Sequence, residues 1–330
     1  MTEPSRSARD ARLSVVVPVY DEEAVLPQLR RRLEAVLSSL AADFEVLFID
    51  DGSSDGTARM LAAFHAEDPR LKCVHLSRNF GHQAAVSAGL ALASGDLVCV
   101  MDADLQDPPE LLPQLVAEWE KGNDVVYAIR RERKESRVLV ALFALFYRLL
   151  ARLSTIPMPV DVGDFALVSR RVLDELNRLP EKERYVRGLR AWVGFRQTGV
   201  AYERSARELG RSKYSLSALA RLALNGIVSF SDKPLILVTI AGLAISCAAF
   251  LYGLTLVGIR IFWGGIITGY ASLMGALLFM SGIQLVALGI IGLYLSKIFQ
   301  EVKGRPTYLV RETRGIGGEY EATGGSAKQR

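Results

Sequence analysis

Asp102-Ala103-Asp104 sets two carboxylates one residue apart, directly after the apolar run that ends at Met101. Side chains so spaced can converge across a turn. Hard oxygen ligands with few neighbours suit Mg2+ or Mn2+ shared with substrate phosphates, not a closed protein cage. Gln106 adds a carbonyl oxygen that can join such a site or orient a water. Acidic pairs in loops are usually just solvated; this one gains weight from its place at a strand end, matched by Asp50-Asp51 at the end of another apolar run. The segment Asp50-Asp51-Gly52-Ser53-Ser54-Asp55-Gly56-Thr57 lies between strand and helix, where Asp55 or Thr57 can serve as a helix cap. A carboxylate there can also accept hydrogen bonds from a nucleobase or ribose. The chain has neither GxGxxG nor GxxxxGK[ST], which removes the classes built on those phosphate-binding loops.

Two basic clusters could meet phosphates. Arg130, Arg131 and Arg133 follow the expected strand Asp124–Ile129, and Arg211, Ser212 and Lys213 precede an amphipathic segment. Charge clusters usually mark solvated faces; these two could also grip phosphates of a donor or a lipid. His65, His75 and His82 lack metal-ligand spacing, and only His82, after Arg78-Asn79-Phe80-Gly81, falls near the ligand end. Cys73, Cys99 and Cys247 form no CxxC pair, so a zinc site or disulfide framework is not expected.

The elements that position these residues alternate. Leu13–Val19, Phe44–Ile49, Leu71–Leu76 and Asp96–Met101 read as buried strands, with helices at Glu22–Leu40, Thr57–Glu67 and Gly81–Ala93. That order means crossover units and a largely parallel sheet, whose ligands sit beyond the carboxyl ends of the strands. Pro18-Val19-Tyr20-Asp21, Asp50-Asp51-Gly52 and Asp102-Ala103-Asp104 all follow strands.

The second half of the 330 residues differs. Leu235–Ile259 and Ala271–Leu295 carry no charge over 25 residues each, beyond the roughly 20 that cross a bilayer core. A fully soluble protein is not expected. Arg137–Leu153, with Arg137, Arg148 and Arg152 on one helix face, and Ser215–Phe230, with its polar stripe, can lie in a membrane interface or pack on the sheet. Arg260 opens the short connector, whereas Lys297, Lys303, Arg305, Arg311 and Arg314 follow the second apolar stretch. Positive charge favours the cytoplasmic side, giving a hairpin in the cytoplasmic (inner) membrane with both termini cytoplasmic. The expected organisation is a flexible start (1–12, too charged for a secretory signal), a catalytic domain (13–214), a juxtamembrane helix (215–233), two spans (234–296) and a basic tail (297–330) that is disordered over 315–330.

Taken together, Val16-Val17-Pro18-Val19-Tyr20-Asp21-Glu22-Glu23, Ile49 to Thr57, Arg78-Asn79-Phe80-Gly81, Asp102-Ala103-Asp104-Leu105-Gln106-Asp107-Pro108-Pro109, Val162-Gly163-Asp164-Phe165 and Ser212-Lys213-Tyr214-Ser215 resemble the family-2 glycosyltransferases, specifically the polyprenyl-phosphate group. The resemblance covers about Ser14 to Ser215, and the two-span tail matches the bactoprenol subgroup. It implies an α/β GT-A domain that binds a nucleotide-sugar through Pro18, Tyr20, Glu22, Asp51, Asp102 and Ala103. It implies Mg2+ or Mn2+ and the diphosphate at Asp102, Asp104 and Gln106, and an active-site acid at Asp164. Phosphate or acceptor contacts are implied at Arg130, Arg133, Arg211, Ser212 and Lys213, with Asp104, Asp164 and Arg130 as the catalytic set. The implied partners are a nucleotide-sugar (UDP-glucose favoured), a polyprenyl phosphate and the membrane, with no nucleic acid; self-association stays open. The implied reaction is inverting transfer of one sugar. Two rivals remain. A processive polysaccharide synthase would carry QxxRW, which Arg187-Gly188-Leu189-Arg190-Ala191-Trp192 does not match. A non-catalytic membrane scaffold would be expected to lose the acidic pair, which is present.

Overall fold

The computed structural model describes residues 7, 9–130, 162–182, 184–202, 233–263 and 269–317. The described residues fall into two compact units, one holding 7–202 and 304–317, the other holding the apolar helices up to 303.

The first unit is built on an eight-stranded sheet in the order β7-β5-β6-β4-β1-β2-β3-β8. β1 (Leu13–Val19), β2 (Phe44–Asp50), β3 (Leu71–Leu76) and β4 (Leu97–Val100) form the parallel part. β1, β2 and β4 are buried at every position, which is why their sequences are near-continuous apolar runs, interrupted by Ser14, Glu45 and Asp50. α1 (Leu26–Leu40), α2 (Thr57–Glu67) and α4 (Leu112–Glu120) cover one face, contributing Leu29, Leu33, Leu61 and Leu115 to its core. α3 (His82–Leu92), α5 (Arg170–Arg178) and α6 (Val186–Trp192) cover the other, with Val86, Leu173 and Leu189. Strand order reverses between β1 and β4, the switch point where open α/β sheets bind ligands.

The sheet is mixed, with four of its seven described pairings parallel. β6 (Val162–Ser169) runs antiparallel to both β4 and β5 (Val125–Arg130), while β7 (Gln197–Tyr202) is parallel to β5. The expected helix from Glu22 begins only at Leu26, because residues 21–23 spend their backbone groups on the loop after β2. The tail also has regular structure: β8 (Val310–Arg314) adds antiparallel to β3.

In the second unit, α7 runs Lys233–Trp263 and α8 Tyr270–Val302. Leu235–Leu256 and Gly275–Val302 are long and apolar enough to cross a membrane, at mean hydropathies of 2.3 and 2.2 and with none of that surface buried within the protein. Helix continues through Arg260 and Lys297, so each helix outlasts its apolar run. Gly304, at φ +65°, supplies the left-handed residue just past the end of α8.

Candidate active site

The loops after β1 and β2 are laced together. The Asp21 amide donates to Ser53 Oγ (3.0 Å), and Asp21 Oδ1 accepts from the Ser54 amide (2.7 Å). The Glu22 amide donates to Thr57 Oγ1 (3.0 Å), and Glu23 Oε2 accepts from the Gly56 amide (2.9 Å). Asp21 takes φ +53° to do this. Pro18 fits inside β1 because pairing with β4 stops at Val16, so no ladder partner needs its missing N–H. Tyr20 stands exposed beyond the strand end.

Asp50 and Asp51 divide their work. Asp50 accepts from the Ser53 amide (2.9 Å) and pairs with His75 Nδ1 (2.8 Å), both side chains buried. Burial opposes the charge on Asp50, yet the His75 and Ser53 hydrogen bonds hold its carboxyl below the usual range. Asp51 accepts the Phe80 and Gly81 amides at 2.7 and 2.9 Å, which ties the loop after β2 to the start of α3. Burial nonetheless pushes its carboxyl up, those two amides only partly offsetting it. Gly52, at φ +74°, lets the two loops touch: a Cβ there would lie 2.5 Å from the Arg78 carbonyl carbon.

After β4 the chain keeps a period of two outside any strand. Met101, Ala103, Leu105 and Asp107 are buried, whereas Asp102, Asp104 and Gln106 are partly exposed. The three residues expected at a cation and diphosphate are thus the more exposed members of this loop, and Asp102 among them lies with His82 and Asp164. The Gln106 amide donates to Asp104 Oδ1 (3.1 Å), and Leu105 takes φ +58°. The β4–β6 ladder pairs Leu97 with Ser169 and Val100 with Ala166; carried two residues on, it sets Asp102 opposite Asp164.

Asp164 is buried and heavily engaged. Arg187 donates Nε to Oδ1 (2.8 Å) and a terminal nitrogen to Oδ2 (3.0 Å), while His82 Nε2 lies 3.1 Å from Oδ2. Gln83 is 3.4 Å from the same oxygen, and its own Oε1 accepts the Val186 amide (3.0 Å), joining α3 to α6. Arg190 donates to the backbone oxygens of Gly163 and Asp164 (3.2 and 3.5 Å); burial lowers its pKa to about 10. Burial opposes the charge on Asp164, but the bonds from His82 and Arg187 outweigh it and hold the carboxyl far below its ordinary value. On His82, burial works against the proton, while Asp164 and Asp102 more than compensate and raise the pKa.

Asp102 contrasts with Asp164. Burial, reinforced by Asp164, Asp107 and Asp104 and only partly relieved by His82, pushes its carboxyl up to about 6. A partly exposed carboxylate at that value marks a site short of positive charge. Ligand atoms of His82, Asp102 and Asp164 lie within 4.8 Å of one another. Asp164 is already committed to Arg187, whereas Asp102 has only His82 Nε2, at 3.7 Å, as an ion-pair partner among the described residues; with the oxygen donors of Asp104 and Gln106 in the same loop, the residue types fit a hard divalent ion.

Asp102, Ala103, Asp104 and Gln106 therefore share one loop, and Asp164 faces it from β6. Pro18, Tyr20, Glu22 and Asp51 sit at the carboxyl ends of β1 and β2. Arg130 ends β5 opposite Tyr202; its side chain lies outside the described residues, as do Arg131, Arg133, Arg211, Ser212, Lys213 and the segments 137–153 and 215–230. Arg187, Arg190 and Gln83 had no motif reading of their own. Their signal was weak: two arginines three apart on a short helix facing a buried carboxylate.

The sequence profile described as Glycosyl transferase family 2 matches residues 14–176. The uncharacterized glycosyltransferase YkcC of Bacillus subtilis (strain 168) is 44% identical over 310 residues, 94% of this chain and 96% of that protein. Bactoprenol glucosyl transferase of Shigella phage SfII is 38% identical over 303 residues, covering 92% of this chain and 98% of that one. Among solved structures, Mycobacterium tuberculosis glucosyl-3-phosphoglycerate synthase in complex with Mn2+, uridine diphosphate and glucosyl-3-phosphoglycerate gives a TM-score of 0.47 at 22% identity, over 67% of this chain and 80% of that one. With identities of 38% and 44% over more than nine-tenths of this chain and of each relative, the protein belongs to glycosyl transferase family 2.

Proposed function

We propose that the protein transfers a single sugar, glucose from UDP-glucose in the favoured reading, to a polyprenyl phosphate at the cytoplasmic membrane face, with inversion. The observation that carries this reading is the loop bearing Asp102, Asp104 and Gln106 at the sheet's switch point, with Asp102 grouped with Asp164 and His82. The relatives named bactoprenol glucosyl transferase support the acceptor and sugar class.

The nucleoside end of the donor is assigned to the loops of Pro18–Glu22 and Asp50–Thr57, and the diphosphate to the loop bearing Asp102, Asp104 and Gln106. A Mg2+ or Mn2+ ion held by Asp102, Asp104 and Gln106 would supply charge neutralisation to the departing diphosphate. The acceptor, a phosphate monoester with a second pKa of about 6, is largely dianionic at pH 7. One of its oxygens forms the new bond to the anomeric carbon as the bond to the nucleoside diphosphate breaks, so no strong base is required. Asp164 suits that scheme. Held ionised by Arg187 and His82, it is a poor proton acceptor and instead orients His82 and Arg187 beside the reacting groups.

Anchoring supports the same reading. The chain leaves the first unit, passes through both apolar helices, and returns as β8 on β3. If both helices span, the crossings number two, and both termini share the catalytic side. Lys297, Lys303 and Arg305 favour the cytoplasm for that side.

The test is incubation of the purified full chain with undecaprenyl phosphate and a panel of UDP- and GDP-sugars, followed by mass spectrometry of the lipid. One hexose on the lipid monophosphate is expected. A polymer, or no lipid product from a folded protein, would overturn the proposal.

A further inference from the structure

Asp107 is wholly buried at the end of the loop that follows β4, and its Oδ1 accepts a hydrogen bond from the hydroxyl of Tyr202. Tyr202 is the last residue of β7, itself buried, with Phe165 of β6 set edge-on to its ring at 6.4 Å between centroids. In the loop's alternation, Met101, Ala103 and Leu105 turn apolar side chains to the inner side, and the Met101 amide donates to the Val16 carbonyl (3.1 Å) at the strand end; Asp107 is the acidic residue of that inner side, at the other end. Apolar packing resists lifting of the loop but tolerates sliding along its length. A directional bond at one end does not.

We propose that Tyr202 and Asp107 form a buried latch that sets the pitch of residues 102–106, making Tyr202 a positioning residue for the cation- and diphosphate-binding loop. The inference rests on the assignment of that loop made above. The latch ties the loop to β7, three strands from β4 in the sheet (order β7-β5-β6-β4), so the loop is braced by the mixed half of the sheet formed by β6, β5 and β7. Groups that hold ligand-bearing residues from behind commonly change metal affinity by 10- to 100-fold when removed.

The experiment uses the full chain in detergent and Mn2+ alone, with bound ion read from the loss of the free-ion electron paramagnetic resonance signal. Tyr202→Phe removes only the hydroxyl and keeps the ring against Phe165. Mn2+ affinity is expected to fall by about tenfold or more, with a matching rise in donor KM and a smaller change in kcat. Asp107→Asn retains an oxygen acceptor for the tyrosine and should stay within about threefold of wild type; Asp107→Ala should behave as Tyr202→Phe. Thermal melts separate a local change from misfolding. Unchanged Mn2+ affinity in a folded Tyr202→Phe variant would overturn the latch. Equal losses in Asp107→Asn and Asp107→Ala would also overturn it, because the charge of Asp107 and not its geometry would then be what matters. Failure of the wild type to bind Mn2+ at all would instead strike the assignment of the loop itself.

Discussion

Arg187 holds both carboxylate oxygens of Asp164, from 2.8 and 3.0 Å. The pair ties α6 to β6 and fixes the charge of a group that burial alone would neutralise. Bidentate arginine–carboxylate pairs combine strength with a set orientation. Asp164 therefore meets any substrate as an anion whose lone pairs are already largely directed, with His82 on the outer oxygen.

Asp164→Asn keeps the shape and removes the charge. Transfer should drop by about tenfold or more as Arg187 and His82 lose their orienting partner. The acidic limb of the rate profile should persist and move to lower pH, because Asp164 itself titrates far below the working range while its charge raises the carboxyl of Asp102 and the imidazolium of His82. A pH–rate series on both proteins checks it. Disappearance of an acidic limb in the variant would make Asp164 the essential base instead.

Glu45 gives a pH prediction far from the active site. Its buried carboxylate accepts from Ser14 Oγ (2.6 Å), the Ser94 amide (2.8 Å) and Lys72 Nζ (2.6 Å). Burial pushes its pKa up, but these bonds outweigh it and bring it to about 2, against an ordinary 4.5. A depressed pKa contributes stability that is complete above the unfolded value and is lost as pH falls through the folded one. The window is therefore about pH 4.5 down to 2, and the contribution is on the order of 3 kcal/mol. Glu45→Gln should melt well below wild type at pH 7, and the gap should close across that window. A gap that does not change with pH would mean the loss comes from packing.

Much of this architecture could be read from residue order. β1 to β4 are apolar runs bounded by turn residues, and each motif after them falls at a strand's carboxyl end. β6 was harder. Gly163 and Asp164, its second and third residues, are poor strand formers, and its antiparallel partners lie far away in sequence. β8 was hidden for another reason: Val310-Arg311-Glu312-Thr313-Arg314 is mostly charged, as suits a sheet edge that must not recruit another chain. Arg187 could not be found by spacing, since its partner lies 23 residues earlier on another element.

Gly52 tests the contact between the loop after β2 and the segment that leads into α3. Its φ of +74° is strained for any L residue, and an added Cβ would meet backbone atoms of Arg78 and Asn79 at 2.5 and 2.7 Å. Backbone cannot swing aside as a side chain can. Gly52→Ala should cost about 1 kcal/mol or more from conformation alone and separate the two loops that Asp51 joins. Donor KM should rise more than acceptor KM. Equal effects on both substrates would mean general unfolding.

The tail makes its own prediction. The Ser77 amide donates to the Leu309 carbonyl (2.8 Å), Thr307 Oγ1 lies 3.4 Å from the Lys182 carbonyl, and β8 pairs with β3. Residues 304–317 thus brace the segment leading to Asp51's amide partners and the one leading to Arg187. A chain ending at Lys303 keeps both apolar helices but bares the β3 edge. It should lose donor affinity and aggregate more readily, and a peptide of residues 304–317 added in excess should restore part of the affinity. Full activity without the tail would count against the brace.

Removing the acidic pair separates function from stability in an unusual direction. Chelation should stop transfer, and Mg2+ or Mn2+ should restore it. Asp102→Ala and Asp104→Ala should each abolish transfer even with excess ion, because the hard oxygen donors are gone. Asp102 adds a sign that few catalytic residues offer. Its carboxyl is pushed up to about 6 by burial and by Asp164, Asp107 and Asp104, so above that pH its ionised form works against the folded state. Without a divalent ion at pH 7.5, Asp102→Ala should therefore melt no lower than wild type, and with Mn2+ only the wild type should gain stability. A variant that melts well below wild type in the absence of metal would place Asp102 among the residues that hold the fold, and the charge deficit argued for this loop would be wrong.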